Sequence, residues 1–219
     1  MKLRAKDFSV TVVIPTIPGR EERLKEALES VYAQTLSPND VVVYNDVQRR
    51  GAWYARNSAL LSVKTSFVAY LDDDDKFLPD HLETLIGTAK LRTDADMVYS
   101  YMEIMGYSRD PLACPVNGKL VLPLGVPFGK EQEFHLRFVG NFIPVTYLVK
   151  TNYCRLVGGM PEPYSAEWPR CCEDWGFLIR LLDAGAKFVH IPRRTWIYNV
   201  HSDNTGGGFA GPDTLISDM

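Results

Sequence analysis

Four consecutive carboxylates, Asp72 to Asp75, follow the apolar run FVAYL at residues 67–71. Such a row repels itself unless a cation or hydrogen bonds offset the charge. Hard divalent cations take oxygen ligands, commonly one or two carboxylates together with substrate phosphates. In extended geometry Asp72 and Asp74 point to the same side, so one can reach a metal while the other reaches a ribose or a bridging water. The same residues also fit a solvated acidic turn whose last Asp caps a helix opening near Pro79. Their place directly after a hydrophobic strand favours the metal reading.

Two further stretches carry chemistry-bearing residues. Glu173-Asp174 opens the segment EDWGFLIRLLDAG, where the helix macrodipole favours carboxylates and keeps them ionised. An ionised Asp facing a cleft can take a hydroxyl proton as a general base; plain capping of the helix is the simpler account of an isolated Glu-Asp pair. The stretch RRGAWYARNSAL, residues 49–60, follows Asp46. Asp46 can accept hydrogen bonds from a nucleobase, and Arg56 can neutralise a phosphate or fix the acidic loop. Arg49 and Arg50 read as the solvated basic start of a helix, and Arg193 and Arg194 as a solvated strand end.

These residues need elements to hold them. Residues 8–14 form a β-branched run ended by Pro15, a short buried strand by pattern. Residues 21–34 place Leu24, Ala27, Leu28 and Val31 at helical spacing. Strands are expected at 40–44, 66–71 and 97–101, and helices at 51–63 and 79–91. This alternation predicts an α/β chain with a mainly parallel sheet flanked by helices. Ligands of such sheets bind beyond the carboxyl ends of the strands, where Thr16, Arg20, Asn45, Asp46 and the four aspartates fall. The second half is less regular. Residues 106–140 show no sustained period and read as a long loop or irregular pieces. A strand is expected at 145–149, helices at 151–157 and 173–184, and two strands at 187–191 and 196–200. The Gly-rich residues 206–219 read as a flexible tail.

Composition narrows the function classes. The 219 residues are 46% apolar and 23% charged, ordinary for a globular domain able to bury its own core. The formal charge of −3 argues against a grip on nucleic acid through bulk electrostatics. That excess is smaller than the charge of the aspartate row alone, however, so it does not exclude an anionic acceptor. No stretch approaches the roughly 20 apolar residues of a membrane span. No secretory leader is visible, and the four cysteines show no paired or metal-finger spacing. A reduced, cytoplasmic protein is expected.

The order of the segments VVIPTIPGREERLKEALESVYAQT, VVVYND, GAWYARNSAL, FVAYLDDDDKFLPDHLE, GGMPE and CCEDWGFLIRLLDAGAKFVHIP resembles the family 2 glycosyltransferases. The resemblance runs over about residues 8–204. It implies the GT-A (Rossmann-like) fold as a single domain over residues 1–205. The nucleotide-sugar half would span about 8–100, and a smaller, irregular acceptor half about 101–205. It implies that Pro15 and Thr16 border the nucleotide pocket and that Asp46 contacts the base. Arg20, Arg56, Asp72 and Asp73 complete the nucleotide-sugar contacts. Asp72 and Asp74 match the metal-binding DxD motif for Mn²⁺ or Mg²⁺, with His201 near the metal or diphosphate. Asp174 matches the catalytic base, with Glu173 beside it. Trp168 and Trp196 are candidate acceptor-stacking residues, and Trp175 falls on an apolar helix stripe.

The expected function is metal-dependent, inverting transfer from a nucleotide-diphosphate sugar, a UDP-sugar first, to an acceptor hydroxyl. That acceptor is a glycan, a lipid-linked sugar, a protein or a modified nucleic acid. The first loop, PTIPGR, departs from the commoner PTYNR, and Asn45-Asp46 supplies one carboxylate where two are usual. The lack of membrane helices after His201 favours a soluble transferase adding single sugars. A sugar-phosphate nucleotidyltransferase is the alternative enzyme, but its Gly-rich basic loop is missing after the first strand. A binding module without catalysis is the non-enzymatic alternative.

Overall fold

The computed structural model describes residues 7–105, 127–165, 172–199 and 201. The elements run β1 (Val10–Thr16), α1 (Glu21–Tyr32), β2 (Asp40–Asn45), α2 (Ala52–Leu60), β3 (Phe67–Tyr70), β4 (Lys76–Phe77) and α3 (His81–Leu91). They continue through β5 (Met97–Met105), α4 (Lys130–Phe138), β6 (Tyr147–Lys150), α5 (Thr151–Leu156), α6 (Glu173–Asp183) and β7 (Phe188–Asn199). One sheet has the order β2-β1-β3-β6-β5-β7-β4. Strands β1, β2, β3, β5 and β7 run one way, and β6 and β4 run against them. The expected α/β architecture, mostly parallel and helix-flanked, is therefore present.

Strand alternation builds two cores. Val12, Ile14, Ala69, Leu71 and Val98 face one side, where Ala27 and Val31 of α1 and Leu82, Leu85 and Ile86 of α3 cover them. Val13, Val68, Tyr70, Met97 and Val149 face the other, against Ala59 and Leu60 of α2, Leu136 of α4, and Phe177, Leu178 and Leu181 of α6. Each fully buried Leu, Ile or Val side chain contributes roughly 1.5–3 kcal/mol relative to exposure. Because β1 is covered on both faces, all seven of its residues are buried, which explains why it reads as a mostly apolar run without alternation.

The structure departs from expectation in three places, two of them in the second half. Residues 130–138, expected to be irregular, form helix α4. Only Gln132 and Leu136 of it are buried, so its sequence carries little apolar period, and a Glu133–Arg137 pair one turn apart supports it. The two expected strands after residue 187 are one, β7. Its pairing with β5 slips between Ser100 and Met102, and the register steps from Ile191 to Arg194 and then Trp196. Pro192, which has no N–H to donate, lies within that irregularity. The two-residue β4, which follows the aspartates directly, pairs with β7 through Lys76 and Phe77. Residues 106–126 and 206–219, including the expected tail, lie outside the described residues.

A buried polar chain pins β7 to α3. The Thr195 hydroxyl lies 2.6 Å from His81 Nδ1 and 2.6 Å from the Ser100 hydroxyl, and all three residues are buried. The His81 ring also stacks on Phe77, with centroids 4.0 Å apart. Burial pushes the His81 imidazole down to about 3, whereas the unfolded chain takes up that proton near pH 6.5. The contribution is whole above about pH 6.5 and is lost as pH falls toward about 3, because the unfolded state then binds more protons. The expected loss is on the order of a few kcal/mol across that window. Urea unfolding at about pH 7.5 and about pH 5 should show it in the wild type and a clearly smaller fall in His81→Gln.

Candidate active site

The carboxyl ends of β1, β2 and β3 lie side by side, because β1 pairs in parallel with both neighbours. The backbone N–H of Asp46 donates to the Thr16 carbonyl at 2.8 Å, which ties the loop after β2 to the end of β1. Asp46 is buried, and its Oδ2 accepts the N–H of Gly51 at 2.8 Å, closing the turn that leads into α2. Gly51 has φ +113°, a conformation in which side chains are strained.

The aspartates form a tight turn, with the Asp75 N–H donating to the Asp72 carbonyl at 3.2 Å. The turn sorts the four into different roles. Asp73 points inward: its carboxylate accepts the Thr16 hydroxyl at 2.6 Å and Arg20 Nη1 at 2.8 Å. Asp72, Asp74 and Asp75 gather on one side, where one oxygen from each lies within 4.8 Å of the others. The expected pairing of Asp72 with Asp74 on a strand thus becomes a three-carboxylate group on a turn, and Asp75 is the member that alternation does not mark. Asn199 of β7 closes this group by donating its N–H to Asp75 Oδ1 at 2.9 Å and its side-chain amide to the Asp74 carbonyl at 2.6 Å. His201 Nε2 lies 2.9 Å from Asp74 Oδ2. Arg20 also reaches Asp74, at 3.5 Å.

The electrostatics of this turn are unbalanced. Burial and the neighbouring Asp72 raise the carboxyl of Asp74, which His201 and Arg20 only partly offset. Burial and Asp72 likewise push Asp75 well above the usual carboxylate range, against the Asn199 N–H. Clustered oxygen donors with uncompensated negative charge are what a hard divalent cation binds, so these residues fit Mn²⁺ or Mg²⁺.

Arg56 of α2 joins this turn to the second acidic motif. Its Nη2 is 2.5 Å from Asp72 Oδ1 and its Nη1 3.1 Å from Glu173 Oε1, with the guanidinium side chain only 4% exposed. Burial alone would weaken its basicity; the two carboxylates reverse that and hold it protonated. The next residue, Asn57, clasps the GGMPE segment by accepting the Met160 N–H at 2.8 Å and donating to the Met160 carbonyl at 2.8 Å. Gly159, with φ +76°, is required there: a Cβ would lie 2.3 Å from Asn57 Oδ1.

Glu173 and Asp174 therefore have different partners. Glu173 is tied to Arg56, whereas Asp174 Oδ2 accepts the side-chain amide of Asn141 at 2.9 Å and Oδ1 accepts the N–H of Trp175 at 2.7 Å. Burial raises the Asp174 carboxyl, a Cys172 thiol hydrogen bond opposes this, and Glu173 pushes it further up. A carboxyl raised toward neutrality is better matched to taking a proton. Asn141 has no motif around it, and nothing in its local sequence marks it.

The remaining expected residues fall as follows. Pro15 is buried in β1 opposite Tyr44 of β2. Trp196 is 1% exposed in the core beneath α3, so it cannot offer a face to a sugar ring, contrary to expectation. Its place on β7 opposite Phe77 and Met102 turns it inward. Trp168 lies outside the described residues. Trp175 packs on the core and donates from Nε1 to the Leu136 carbonyl at 2.6 Å. Arg50 lies over the Tyr54 ring at 3.6 Å, and Arg193 pairs with Asp80.

The bridge is testable through stability. Arg56→Met leaves Asp72 and Glu173 facing an uncharged side chain, with an expected loss of about 3 kcal/mol or more in urea unfolding. Arg56→Lys keeps the charge but not the fork, and should lose less. A loss below about 1 kcal/mol in Arg56→Met would show that the bridge does not hold the two segments together.

The chain is similar to known proteins in sequence and fold. The model of Glycosyl transferase family 2 matches residues 41–113. A protein of Bacillus subtilis (strain 168), described as the uncharacterized glycosyltransferase YwdF, is 29% identical over 197 residues, covering 79% of this chain and 68% of its own. Among solved structures, residues 1–349 of S. aureus TarS superpose with a TM-score of 0.66 at 16% identity over 87% of this chain. The same fragment in complex with UDP-GlcNAc gives 0.66 at 17% over 90%. The chain spans 60% of that fragment and 37% of a longer TarS chain. Fold, motif order and relatives agree: the chain has the GT-A fold and is similar to glycosyl transferase family 2 over residues 41–113.

Proposed function

We propose that the chain transfers a sugar from a nucleotide-diphosphate sugar, a UDP-sugar, to an acceptor hydroxyl, with inversion at the anomeric carbon. The observation that carries this reading is the Arg56 bridge, which brings a three-carboxylate cation site and the half-buried Asp174 to one end of the sheet. The S. aureus TarS structures with UDP-GlcNAc and UDP support the choice of donor.

Asp72, Asp74 and Asp75 would hold Mn²⁺ or Mg²⁺, with His201 against Asp74. A cation there would neutralise the diphosphate leaving group. Asp46 accepts from the base, and Pro15 and Thr16 border it. Arg20 fixes the acidic turn through Asp73. Asp174 takes the acceptor's proton as its oxygen bonds to the anomeric carbon; the bond from that carbon to the diphosphate oxygen breaks, and its electron pair leaves with the nucleotide. Glu173 holds the start of α6 in place through Arg56. Among the described residues no helix is long and apolar enough to cross a membrane. The free thiols of Cys154 and Cys172 fit a cytoplasmic place of work.

Two measurements test the reading. UDP with Mn²⁺ should raise the melting temperature of wild type and Asp174→Asn alike, while UDP release from UDP-GlcNAc falls about a hundredfold or more in the variant. Wild-type turnover by Asp174→Asn would remove the base assignment, and full activity in excess EDTA would remove the metal. Asp75→Asn should reduce the Mn²⁺-dependent rise in melting temperature. An unchanged rise would exclude Asp75 from the cation site.

A further inference from the structure

Among the described residues Asp174 has three hydrogen-bond donors around it, and they differ in kind. The Trp175 N–H belongs to the neighbouring residue and comes with the helix start. The Cys172 thiol sits at the N-cap of the same helix and is a weak donor. Asn141 comes from elsewhere, the linker between α4 and β6, and places its amide Nδ2 2.9 Å from Asp174 Oδ2.

The orientation of that amide is determined. Its other end, Oδ1, accepts the backbone N–H of Ile143 at 3.0 Å. Flipping the group would set an oxygen against a carboxylate and an NH₂ against an N–H, two repulsive contacts in place of two bonds. The linker is anchored by Phe142 and Ile143, both buried in the core under α6. The Trp175 indole bond to the Leu136 carbonyl holds α4 against α6 directly beside Asp174. Asn141 therefore meets Asp174 from a fixed position, and only as a donor.

We propose that Asn141 is the positioning residue of the base, its amide holding the Asp174 carboxylate in one rotamer and in the ionised state that accepts the acceptor's proton. This rests on the reading of Asp174 as the base. A donor to a carboxylate favours the charged form, and here it works against burial. The charged and titratable groups around Asp174 are Glu173 beside it, Cys172 at the N-cap, Arg56 from α2 and Tyr147 from β6. Glu173 raises the Asp174 carboxyl and Arg56 lowers it. Neither of these charges fixes which way the carboxylate faces, which the Asn141 bond does.

The test uses two variants and two readouts. Asn141→Ala removes the donor. Asn141→Asp keeps the shape and the oxygen that accepts the Ile143 N–H, but replaces the donor by a second carboxyl. The Asp174 carboxyl signal, identified by its loss in Asp174→Asn, is followed by ¹³C NMR from acid to neutral pH. The pH profile of UDP release from UDP-GlcNAc with Mn²⁺ is measured in parallel. Without the donor the Asp174 midpoint and the acid limb of the profile should move up by about one pH unit in Asn141→Ala. They should move further in Asn141→Asp, where like charges adjoin. An active enzyme whose Asp174 titration and acid limb do not move in either variant would overturn the role of Asn141 alone. A titration that moves in the variants while the acid limb of UDP release stays where it is in wild type would instead overturn the base assignment beneath it. A structural Asn141 would tolerate Asn141→Asp with both readouts unchanged.

Discussion

One buried guanidinium constrains this site. Arg56 sits almost fully out of solvent, and a charge there is tolerated only when carboxylates and hydrogen bonds replace the lost water. Asp72 and Glu173 do so, one at each terminal nitrogen. The two carboxylates lie about a hundred residues apart in the chain, yet both must come to the same place or leave Arg56 unpaired. Asn57, the next residue of α2, adds the clasp on Met160. A two-residue step on one short helix thereby brings together the aspartate turn, the GGMPE segment and the start of α6.

The aspartate turn shows how the fold prepares charge for use. Its four carboxylates are not equivalent: Asp73 is consumed by Thr16 and Arg20, which fasten the turn to the end of β1. Asp72 is shared with Arg56, and Asp74 and Asp75 carry raised carboxyls that the protein does not fully compensate. Asn199 and His201, from the far end of the chain, close over them. With Asp73 held by Thr16 and Arg20, the turn is fastened and the other three carboxylates gather on one side.

Much of the first half is legible from residue pattern, for a physical reason. Strands buried on both faces read as mostly apolar runs without alternation, and helices covering them on one face read with a helical period, as β1 and α1 do. Helix α4 escapes because so few of its residues are buried. Strand β7 reads as two because Pro192 and two arginines interrupt an otherwise apolar run within the irregular pairing with β5. Trp196 misleads for a related reason: a tryptophan near a polar stretch suggests a sugar platform, while its strand parity points it into the core.

The sequence by itself determined the chemistry available: a row of carboxylates after a buried strand, a Glu-Asp pair at a helix start, and an arginine, Arg56, ahead of both. Their types and order along the chain are local properties, and they were enough to show a resemblance to glycosyl transferase family 2. The tertiary structure decided the division of labour. Which aspartate is spent on Arg20, which three converge, that Glu173 binds Arg56 while Asp174 binds Asn141, all depend on contacts between segments distant in the chain. Those contacts arise from sheet order and helix packing, which no local pattern encodes, and so Asn141 became visible only when the linker after α4 was seen against α6.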